Sequence, residues 1–599
     1  MGGFAMAKAV RKEKNGDLYG MSPGSRIATR FLLSLGANIY GSKLRKISHR
    51  ILIKEERPIT MPDGIKLHAF IVRPRAPGKY PVILVRSPYV VNDFVYRALL
   101  PVLAKRGYAC VLNTVRGALN SEGQWLPFEN EREDGVAVID WISKQAWCDG
   151  KIGGYGGSYL GYTQWSYADC GHPALKTLCI DNAGGSAYHT FWRRGMFRQE
   201  IWTLWATQMM GQNRMKFLLP SELYQKAYHV EPQIDLGERI INERCPWYCN
   251  WISNDHPNDT YWSEGYWGQM NSAVQNIRIP LMLSGGWFDI FIRPQLEAFR
   301  SLPKETQTKS RFFIGPWDHS GTDAGDKPFK NSEKGGNSHL TEVLEWFDYQ
   351  LKGMPYSKQL GTIEAFDVGT DSWSSYESDI QPASHERFYF APRSAQCPET
   401  AAGMLAKTKP ASQNSAMFTF DPNNPVESIC GNVLGTGEKT SKSGPKEQRK
   451  IGERPDILSF VSEPLKKSVQ LCGRIKVGLT VSSDAPATAF TVCVSEMEAN
   501  GHTYNIRDDI TDIRWRDEHT VMQYTPGECV HLELELPDIF WLIQKGSRIR
   551  VDISSSNFPM YHVHPNTTEP WGKTQKKIVA EQTIYMGADT ASYIEIPIK

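Results

Sequence analysis

The stretch that decides the fold is GGYGGSYLGYTQW, residues 153–165, which sets Ser158 among glycines after a strand-like run. Two later segments carry the other groups that a nucleophilic serine needs. GGWFDIF contains Asp289 and GPWDHSG contains His319, and each follows a short apolar run. Three polar groups therefore stand at the ends of strand-like runs, in the order serine, acid, histidine.

This chain order narrows the fold class. Serine, acid and histidine follow one another in this order in α/β-hydrolases, whereas the chymotrypsin and subtilisin folds use other orders. His319 is predicted to be the base that takes the proton of Ser158, and Asp289 to fix its tautomer and stabilise the imidazolium. Asp318, beside His319, is a less favoured orienting acid because adjacent side chains normally diverge.

The alternative for Ser158 is a small residue in a glycine-rich turn that cradles a phosphate. Such a loop would carry a lysine before a serine or threonine and a glycine fingerprint, and this segment has neither. A nucleophilic serine is the better interpretation, and its chemistry requires no metal and no organic cofactor.

Size and composition exclude several classes of protein. A chain of 599 residues is too long for one core and predicts roughly two to four domains. A net charge of +3 gives no indication of a nucleic-acid partner. No early apolar run is long enough to span a bilayer, and the first residues lack the form of a signal peptide. Eleven scattered cysteines, with Cys245 and Cys249 lacking further zinc ligands, indicate free thiols and a cytoplasmic location.

The pattern of strands and helices divides the chain. Residues 1–50 form an N-terminal extension without an assigned role. Residues 51–185 and 275–353 alternate strands with helices, which predicts an α/β domain with a mostly parallel sheet. Residues 186–274 interrupt this alternation with aromatic, helical segments and predict a helical cap, or lid. Residues 354–599 show strand alternation between turn residues and predict an all-β domain of sandwich or jelly-roll type.

Aromatic side chains are candidates for the walls of a substrate pocket. The chain has 18 tryptophans, many of them in the predicted cap. Trp165, Trp192 and Phe288 are candidate substrate-binding residues, although packing in the core is at least as good an interpretation of each.

The serine segment departs from the pattern G-x-S-x-G, because Leu160 stands where the third glycine is expected. With this departure, the chain resembles the cocaine-esterase-like (CocE/NonD) serine hydrolases. That family is related to X-prolyl dipeptidyl aminopeptidases, α-amino-acid ester hydrolases and glutaryl acylases. The resemblance runs from about Ile51 to the C-terminus. It rests on DGIKLHAFIVRP, PVILVRSPY, RGALNSEGQW, EREDGVAVIDWISKQAWCDGKIGGYGGSYLG, GGWFDIF, GPWDHSG and RPDILSFVSEPL.

The resemblance implies both a fold and an oxyanion hole. The fold is an α/β-hydrolase domain with an inserted helical cap and a C-terminal jelly-roll domain of the galactose-binding-like type. In the family, a tyrosine hydroxyl from a motif like Arg86-Ser87-Pro88-Tyr89 holds the oxyanion together with the backbone N–H after the nucleophile. These functions carry over to the Tyr89 hydroxyl and to the N–H of Tyr159.

The residues that follow Asp289 restrict the class of substrate that the site can accept. The α-amino-acid ester hydrolases of this group hold the substrate ammonium with carboxylates, including acidic residues just after the catalytic aspartate. Here Asp289 is followed by the apolar residues 290–292, where an uncompensated cation would be costly. An apolar or aromatic acyl group is therefore favoured. Two carboxylates from elsewhere could still reach the pocket, those of Asp181 and Asp255.

The sequence thus predicts a serine hydrolase that cleaves an ester, or less favourably an amide, of a small organic substrate through an acyl-enzyme. Alternatives on the same scaffold are an X-prolyl dipeptidyl peptidase or amidase, and an acyltransferase or nonhydrolytic biosynthetic enzyme. A β-sandwich protein that binds carbohydrate, with an inert hydrolase part, is the alternative from another class. We expect a small-molecule substrate and neither nucleic acid nor membrane as a partner, and a homodimer stays open.

Overall fold

The structure is a computed structural model, and it describes residues 47–599 apart from six gaps. The gaps are residues 212–220, 333–338, 378, 396, 430 and 435–442. The predicted N-terminal extension, residues 1–50, lies almost wholly outside the described residues.

Twelve strands precede residue 378, and all except β7 and β8 form one sheet. They are β1 (Leu52–Thr60), β2 (Lys66–Pro74), β3 (Tyr80–Ser87), β4 (Ala109–Thr114), β5 (Cys148–Gly157), β6 (Leu175–Asp181), β7 (Trp192–Arg193), β8 (Met196–Phe197), β9 (Leu281–Gly286), β10 (Arg311–Gly315), β11 (Thr362–Asp367) and β12 (Ser372–Glu377). The order across the sheet is β1-β2-β4-β3-β5-β6-β9-β10-β11-β12. Neighbours from β4 to β11 are parallel, and the pairs at the two edges are antiparallel.

Thirteen α-helices connect and cover these strands in the described part of the chain. They are α1 (Val90–Ala104), α2 (Glu131–Ser143), α3 (Tyr159–Tyr167), α4 (Tyr188–Phe191), α5 (Gln199–Met210), α6 (Ser221–Tyr228), α7 (Leu236–Ile241), α8 (Pro246–Ser253), α9 (Thr260–Ser263), α10 (Gly265–Ala273), α11 (Ile292–Ser301), α12 (Lys304–Gln307) and α13 (His339–Lys352). Helices α4 to α10, with the β7–β8 ribbon, make up the segment predicted as the cap.

The sequence forms this sheet because its central strands carry continuous apolar runs, such as PVILV in β3 and ACVL in β4. Every residue of β3 and β4 is buried, as expected for parallel strands that are covered on both faces. Strand β1, at the edge, is largely exposed and carries charged residues that discourage pairing with another chain. The carboxyl ends of β5, β9 and β10 lie at one edge of the sheet, where α/β proteins build their ligand sites.

The second sheet makes the C-terminal part all-β. Its thirteen strands are β13 (Ser384–Pro392), β14 (Gly403–Ala406), β15 (Asn414–Phe420), β16 (Leu458–Ser462), β17 (Val469–Gly473), β18 (Lys476–Ser483), β19 (Ala489–Met497), β20 (Thr503–Asp512), β21 (Val530–Glu535), β22 (Ile539–Ile543), β23 (Arg548–Ser554), β24 (Ala580–Met586) and β25 (Tyr593–Ile598). Nearly all pairs are antiparallel, and only β14 and β16 run parallel as neighbours. The fold is therefore an α/β-hydrolase-like domain followed by an all-β domain.

The first sheet extends beyond residue 353, where the sequence analysis ends the α/β domain. Strand β11 pairs in parallel with β10, and β12 pairs with β11. Residues 362–377 therefore complete the first sheet, although they lie in the range predicted for the β domain. Strand alternation does not specify which sheet a strand joins, so the pattern alone could not place them.

A buried cluster of ions joins the β7–β8 turn to the β domain. Asp509 in β20 accepts hydrogen bonds from Arg193 at 2.6 Å and from Arg194 at 2.7 Å. Glu518 pairs with Arg193 at 2.5 Å and with Arg293, at the start of α11, at 3.3 Å. The cap, the α/β domain and the β domain therefore share one network of charges. Among the helices of the described ranges, none has the length and apolar character that crossing a membrane requires.

Candidate active site

Ser158 lies at the sharp turn between β5 and α3. Its φ of +56° is in the left-handed region, which a residue with a Cβ adopts at a cost. The turn is held from the neighbouring strand, because the Ser158 N–H donates to the Asp181 carbonyl at 3.0 Å. The strained turn presents the side chain at the carboxyl edge of the sheet, as in a nucleophile elbow.

The departure at Leu160 has a local explanation. A Cβ on Gly156 would lie 2.6 Å from the Cβ of Leu160, so Leu160 fills the space that this glycine leaves. Helix α3 approaches the segment after β6 most closely at Gly161, one residue after Leu160. A Cβ on Gly161 would lie 2.5 Å from the Cβ of Ala183. The third glycine is therefore shifted by one position in the chain.

His319 connects the serine to the acid. Its Nε2 lies 3.0 Å from the Ser158 Oγ, and its Nδ1 lies 3.1 Å from the Asp289 Oδ1. Asp289 is fully buried, and its Oδ1 also accepts the N–H of Phe291 at 2.8 Å. The three groups predicted from the sequence therefore meet in one hydrogen-bonded line, although they are far apart in the chain.

Backbone contacts hold the acid loop against the histidine loop. The N–H of Trp287 donates to the Gly315 carbonyl at 2.8 Å, and the N–H of Phe288 donates to the Trp317 carbonyl at 3.1 Å. The rival acid Asp318 is occupied differently, since its carboxylate accepts the N–H of Ser320 at 2.9 Å and caps a turn. Asp289 is therefore the acid that contacts the histidine ring.

Two positioning residues were missed by the sequence analysis. Asn182, whose φ is +47°, donates from its amide to the His319 carbonyl at 2.9 Å. Asn432 belongs to the β domain and donates to the Asp289 carbonyl at 2.6 Å. Neither residue stands in a motif with a known spacing, so only the folded structure reveals these contacts.

The β domain also contacts the rest of the acid loop. Asn432 makes a second, longer hydrogen bond to the Trp287 carbonyl at 3.3 Å, and the Ser443 hydroxyl donates to the Phe288 carbonyl at 2.5 Å. Three consecutive carbonyls of the loop therefore accept hydrogen bonds from outside the α/β domain. The position of Asp289 depends on both domains.

Tyr89 faces the serine from the loop after β3. Its hydroxyl accepts a hydrogen bond from the indole N–H of Trp205 at 2.8 Å. Burial raises the pKa of the Tyr89 phenol, against smaller opposite contributions from hydrogen bonds with Trp205 and Ser158. The side chain therefore stays a neutral phenol at physiological pH, able to donate its proton.

Tyr159 is the first residue of α3, so its N–H has no acceptor within the helix. Its phenol is fixed below the turn, because it accepts the N–H of Phe128 at 2.9 Å and donates to Glu131 at 2.8 Å. Burial raises the pKa of Glu131, although Arg86 lies 2.9 Å away and acts in the opposite direction. This buried network fixes the start of α3 beneath the serine.

The three candidate substrate-binding residues are all buried, which favours core packing, the alternative interpretation of each. Trp165 is fully buried and donates to the Ala183 carbonyl at 2.9 Å. Trp192 is 2% exposed and donates to the Trp251 carbonyl at 3.0 Å. Phe288 is fully buried inside the acid loop. Each belongs to the core, because its neighbours leave little or no surface for a substrate to touch.

The surroundings of His319 are aromatic. The ring of Phe291 lies 5.4 Å from the His319 ring, in an edge-to-face arrangement. The carboxylate of Asp181 is turned to other partners, since it binds Ser284 at 2.5 Å and His339 at 2.8 Å. Asp255 lies where the cap meets the β domain, and burial raises its pKa against a smaller opposite contribution from Arg514 of that domain. Both predicted acids therefore interact with other groups of the protein.

The described residues offer no evident metal site. Outside the six gaps, no group of three or more His, Cys, Asp or Glu side chains is placed to hold a metal ion. The polar groups around Ser158 instead suit proton transfer and the binding of an anion.

The order of the strands and the serine at the turn from strand to helix define an α/β-hydrolase that carries a C-terminal all-β domain. The family described as X-Pro dipeptidyl-peptidase (S15 family) matches residues 63–321. The X-Pro dipeptidyl-peptidase C-terminal non-catalytic domain matches residues 356–595. The chain carries both domains of this peptidase family, as the resemblance predicted. The α/β-hydrolase-like fold followed by an all-β domain is confirmed.

Individual relatives agree over nearly the whole chain. Cocaine esterase of Rhodococcus sp. (strain MB1 Bresler) is 27% identical over 571 residues, covering 90% of this chain and 97% of the relative. An aminopeptidase from the marine sediment archaeon Thaumarchaeota archaeon has a TM-score of 0.77 at 22% identity, covering 92% of this chain and 97% of its own. An α-amino acid ester hydrolase has a TM-score of 0.75 at 21% identity, covering 93% and 98%. These two structures support the fold.

Proposed function

We propose that this chain is a serine hydrolase that cleaves an ester of a small organic substrate through an acyl-enzyme. Ser158 is the nucleophile, His319 the base and Asp289 the orienting acid. The observation that carries the proposal is His319, whose two ring nitrogens lie 3.0 Å from the serine and 3.1 Å from the buried carboxylate. This arrangement of nucleophile, base and orienting group is the one that activates a serine hydroxyl.

The reaction runs in two halves. In the first, the Ser158 Oγ attacks the ester carbonyl carbon while its proton passes to the Nε2 of His319. The imidazolium then gives that proton to the leaving alkoxide, and an acyl-serine remains. In the second half, His319 takes a proton from water, the hydroxide attacks the acyl carbon, and Ser158 leaves with the proton returned from the imidazolium. Asp289 stabilises the imidazolium in both halves.

Two donors stabilise the oxyanion in this proposal, the Tyr89 hydroxyl and the N–H of Tyr159. Both groups are fixed before the substrate arrives, and a donor that needs no reorganisation is the most effective. Removing one such donor costs about 3–4 kcal/mol of transition-state stabilisation.

The acyl group in this proposal is apolar or aromatic. Phe291 offers an aromatic face beside His319, and an aromatic acyl group would pack on it edge-to-face or offset. A substrate with a free α-amino group would leave its ammonium without a carboxylate there, which is costly in a buried site.

The second candidate function is cleavage of an amide, as in an X-prolyl dipeptidyl peptidase. It is favoured because residues 63–321, which contain Ser158, Asp289 and His319, match the S15 peptidase family. Acyl transfer to an acceptor other than water also uses the same acyl-enzyme. A panel of p-nitrophenyl esters and aminoacyl-prolyl anilides separates ester from peptide cleavage, and product analysis with competing nucleophiles identifies the acceptor.

A fluorophosphonate probe tests the proposed nucleophile. We expect the native protein to be labelled on Ser158 and to lose ester turnover in proportion to labelling. Ser158→Ala should be neither labelled nor active, whereas Ser284→Ala, which removes another serine at the same edge of the sheet, should be labelled normally. Absence of labelling in the native protein would falsify the proposal.

We further propose that the C-terminal domain is a jelly roll of the galactose-binding-like type. Its last strand, β25, pairs with its first, β13, a return that is typical of Greek-key topologies. A crystal structure of the chain would check the path of its strands.

The chain is also proposed to reside in the cytoplasm. The ten cysteines in the described ranges are free thiols, six of them buried, and free thiols persist in a reducing compartment. Fractionation of the source cells, with detection of the protein in each fraction, would test this location.

A further inference from the structure

We propose that Trp205 is a positioning residue that directs the Tyr89 hydroxyl toward the oxyanion, an inference that rests on the proposed function. Trp205 lies in the cap helix α5, and its indole N–H donates to the Tyr89 hydroxyl oxygen at 2.8 Å. An indole nitrogen only donates, so the oxygen of Tyr89 must accept. The phenol proton then points away from Trp205 and is free for another acceptor.

The Ser158 side chain is a polar neighbour of the Tyr89 hydroxyl, because it opposes the rise of the phenol pKa that burial causes. When the serine adds to a carbonyl, the oxyanion forms within reach of the same proton. A hydroxyl that donates and accepts at once is polarised, because hydrogen bonds in a chain strengthen one another.

Trp205 is held tightly enough to act in this way. Its ring stacks on Tyr159 with centroids 5.9 Å apart and an interplanar angle of 14°. It also packs against Trp125 at 5.8 Å and Phe128 at 5.9 Å, and only 8% of it is exposed. The ring therefore contacts both residues that supply oxyanion donors, and it cannot turn its N–H elsewhere without disrupting the cluster.

Trp202 gives the matched comparison. It lies about one helical turn earlier in α5, is 3% exposed, and donates its indole N–H at 2.7 Å to the carbonyl of Thr190. That bond joins two parts of the cap. Replacing either tryptophan by phenylalanine removes one indole N–H and exchanges the indole for a smaller phenyl ring in the same helix. The two variants should therefore lose similar amounts of stability.

The test measures kcat and KM for a p-nitrophenyl ester, and the inhibition constant of an arylboronic acid that mimics the tetrahedral intermediate. Trp205→Phe should lower kcat about tenfold and weaken the boronate by a similar factor, because a Tyr89 hydroxyl that the indole N–H no longer directs stabilises the oxyanion less well. KM should change less than about twofold, as expected when ground-state binding is unaffected. Trp202→Phe should leave all three values near those of the native protein.

The double variant Tyr89→Phe with Trp205→Phe is decisive. If Trp205 acts through the Tyr89 hydroxyl, its replacement should have no further effect once that hydroxyl is gone. The inference would be overturned if Trp205→Phe lowered kcat equally in the native protein and in Tyr89→Phe. It would also be overturned if Trp202→Phe lowered kcat as much as Trp205→Phe, or if Trp205→Phe left kcat unchanged. Failure of the proposed function is seen separately, as turnover that survives in Ser158→Ala.

Discussion

At the scale of single residues, the Tyr89 hydroxyl is the proposed oxyanion donor that one substitution can remove. Tyr89→Phe removes the proposed donor and leaves the ring. We expect kcat to fall about 100- to 1,000-fold, as when one oxyanion donor is removed elsewhere. Steady-state assays should show the low turnover, and thermal denaturation should show an unchanged midpoint of unfolding.

Tyr80→Phe is the matched control for that experiment. The Tyr80 hydroxyl donates to the Ala76 carbonyl at 2.7 Å, so this variant also loses one phenol hydrogen bond from the α/β domain. It should keep full activity. Near-normal turnover in Tyr89→Phe would remove Tyr89 from the site.

The residues of the site differ in how far the sequence identifies them. Ser158, Asp289 and His319 could be predicted because each follows a strand and their order is typical of one fold. Tyr89 came only from the family resemblance, since a tyrosine after a strand is otherwise unremarkable in type. Trp205 could not be predicted, because nothing in a helix rich in aromatic residues shows which ring faces the serine.

At the scale of elements, the pair of Asp181 and His339 links the end of β6 to the start of α13. Burial disfavours the charged imidazole, but the carboxylate 2.8 Å away outweighs it and raises the pKa of His339. A raised pKa in the folded state means that the pair stabilises the protein below the unfolded value of about 6.5. That contribution is lost as the pH rises through the folded pKa.

The prediction from this pair is a stability difference that depends on pH. The native protein should exceed His339→Gln in resistance to urea most clearly near about pH 6, and the difference should shrink toward about pH 9. Urea titrations of both proteins at the two values measure it. A difference that grows with pH would contradict the assigned charge state.

The elements themselves were predictable where local pattern determines them. The alternation of apolar strands with helices specified the parallel sheet, and the change to strand alternation specified the β domain. Two features escaped this reasoning. Strands β11 and β12 joined the first sheet through pairing that no local pattern encodes. The sequence also could not decide between a pocket wall and core packing for Trp165 and Trp192, because burial depends on distant neighbours.

At the scale of the whole molecule, the buried ion cluster between the cap and the β domain should dominate the stability of their contact. Asp509→Asn replaces the carboxylate that Arg193 and Arg194 share by a neutral amide and leaves them only the partly exposed Glu518 in this cluster. Removing one member of a buried pair costs about 3–5 kcal/mol. We expect the first thermal transition to occur at a clearly lower temperature. Differential scanning calorimetry of the full chain checks this.

A surface pair provides the comparison. Glu595 binds Arg387 at 2.7 Å, but the arginine side chain is 44% exposed. Glu595→Gln should shift the transition little, because exposed pairs contribute less than about 1 kcal/mol. Equal shifts in the two variants would show that the cluster does not hold the domains together.

The contact of the β domain with the acid loop should affect turnover. Asn432→Ala removes the donor to the carbonyls of Trp287 and Asp289, and we expect kcat to fall about tenfold, as a misplaced acid no longer orients His319 well. The control is Asn271→Ala, which also loses hydrogen bonds to two backbone groups, those of Ala187 and Trp262, but within the cap. Equal activities in the two variants would contradict a positioning function for Asn432.

The hydrogen bonds from Asn432 and Ser443 have a consequence for how such proteins can be recombined. The border between the two matched families, near residue 356, is the obvious junction for a chimera. A β domain taken from another protein, and chosen only because its surface fits the α/β domain, would still leave the carbonyls after β9 without their hydrogen-bond donors. Chimeras that keep an amide and a hydroxyl at these two positions should retain the kcat of the parent enzyme. The C-terminal domain and the loop that carries Asp289 should therefore be exchanged together.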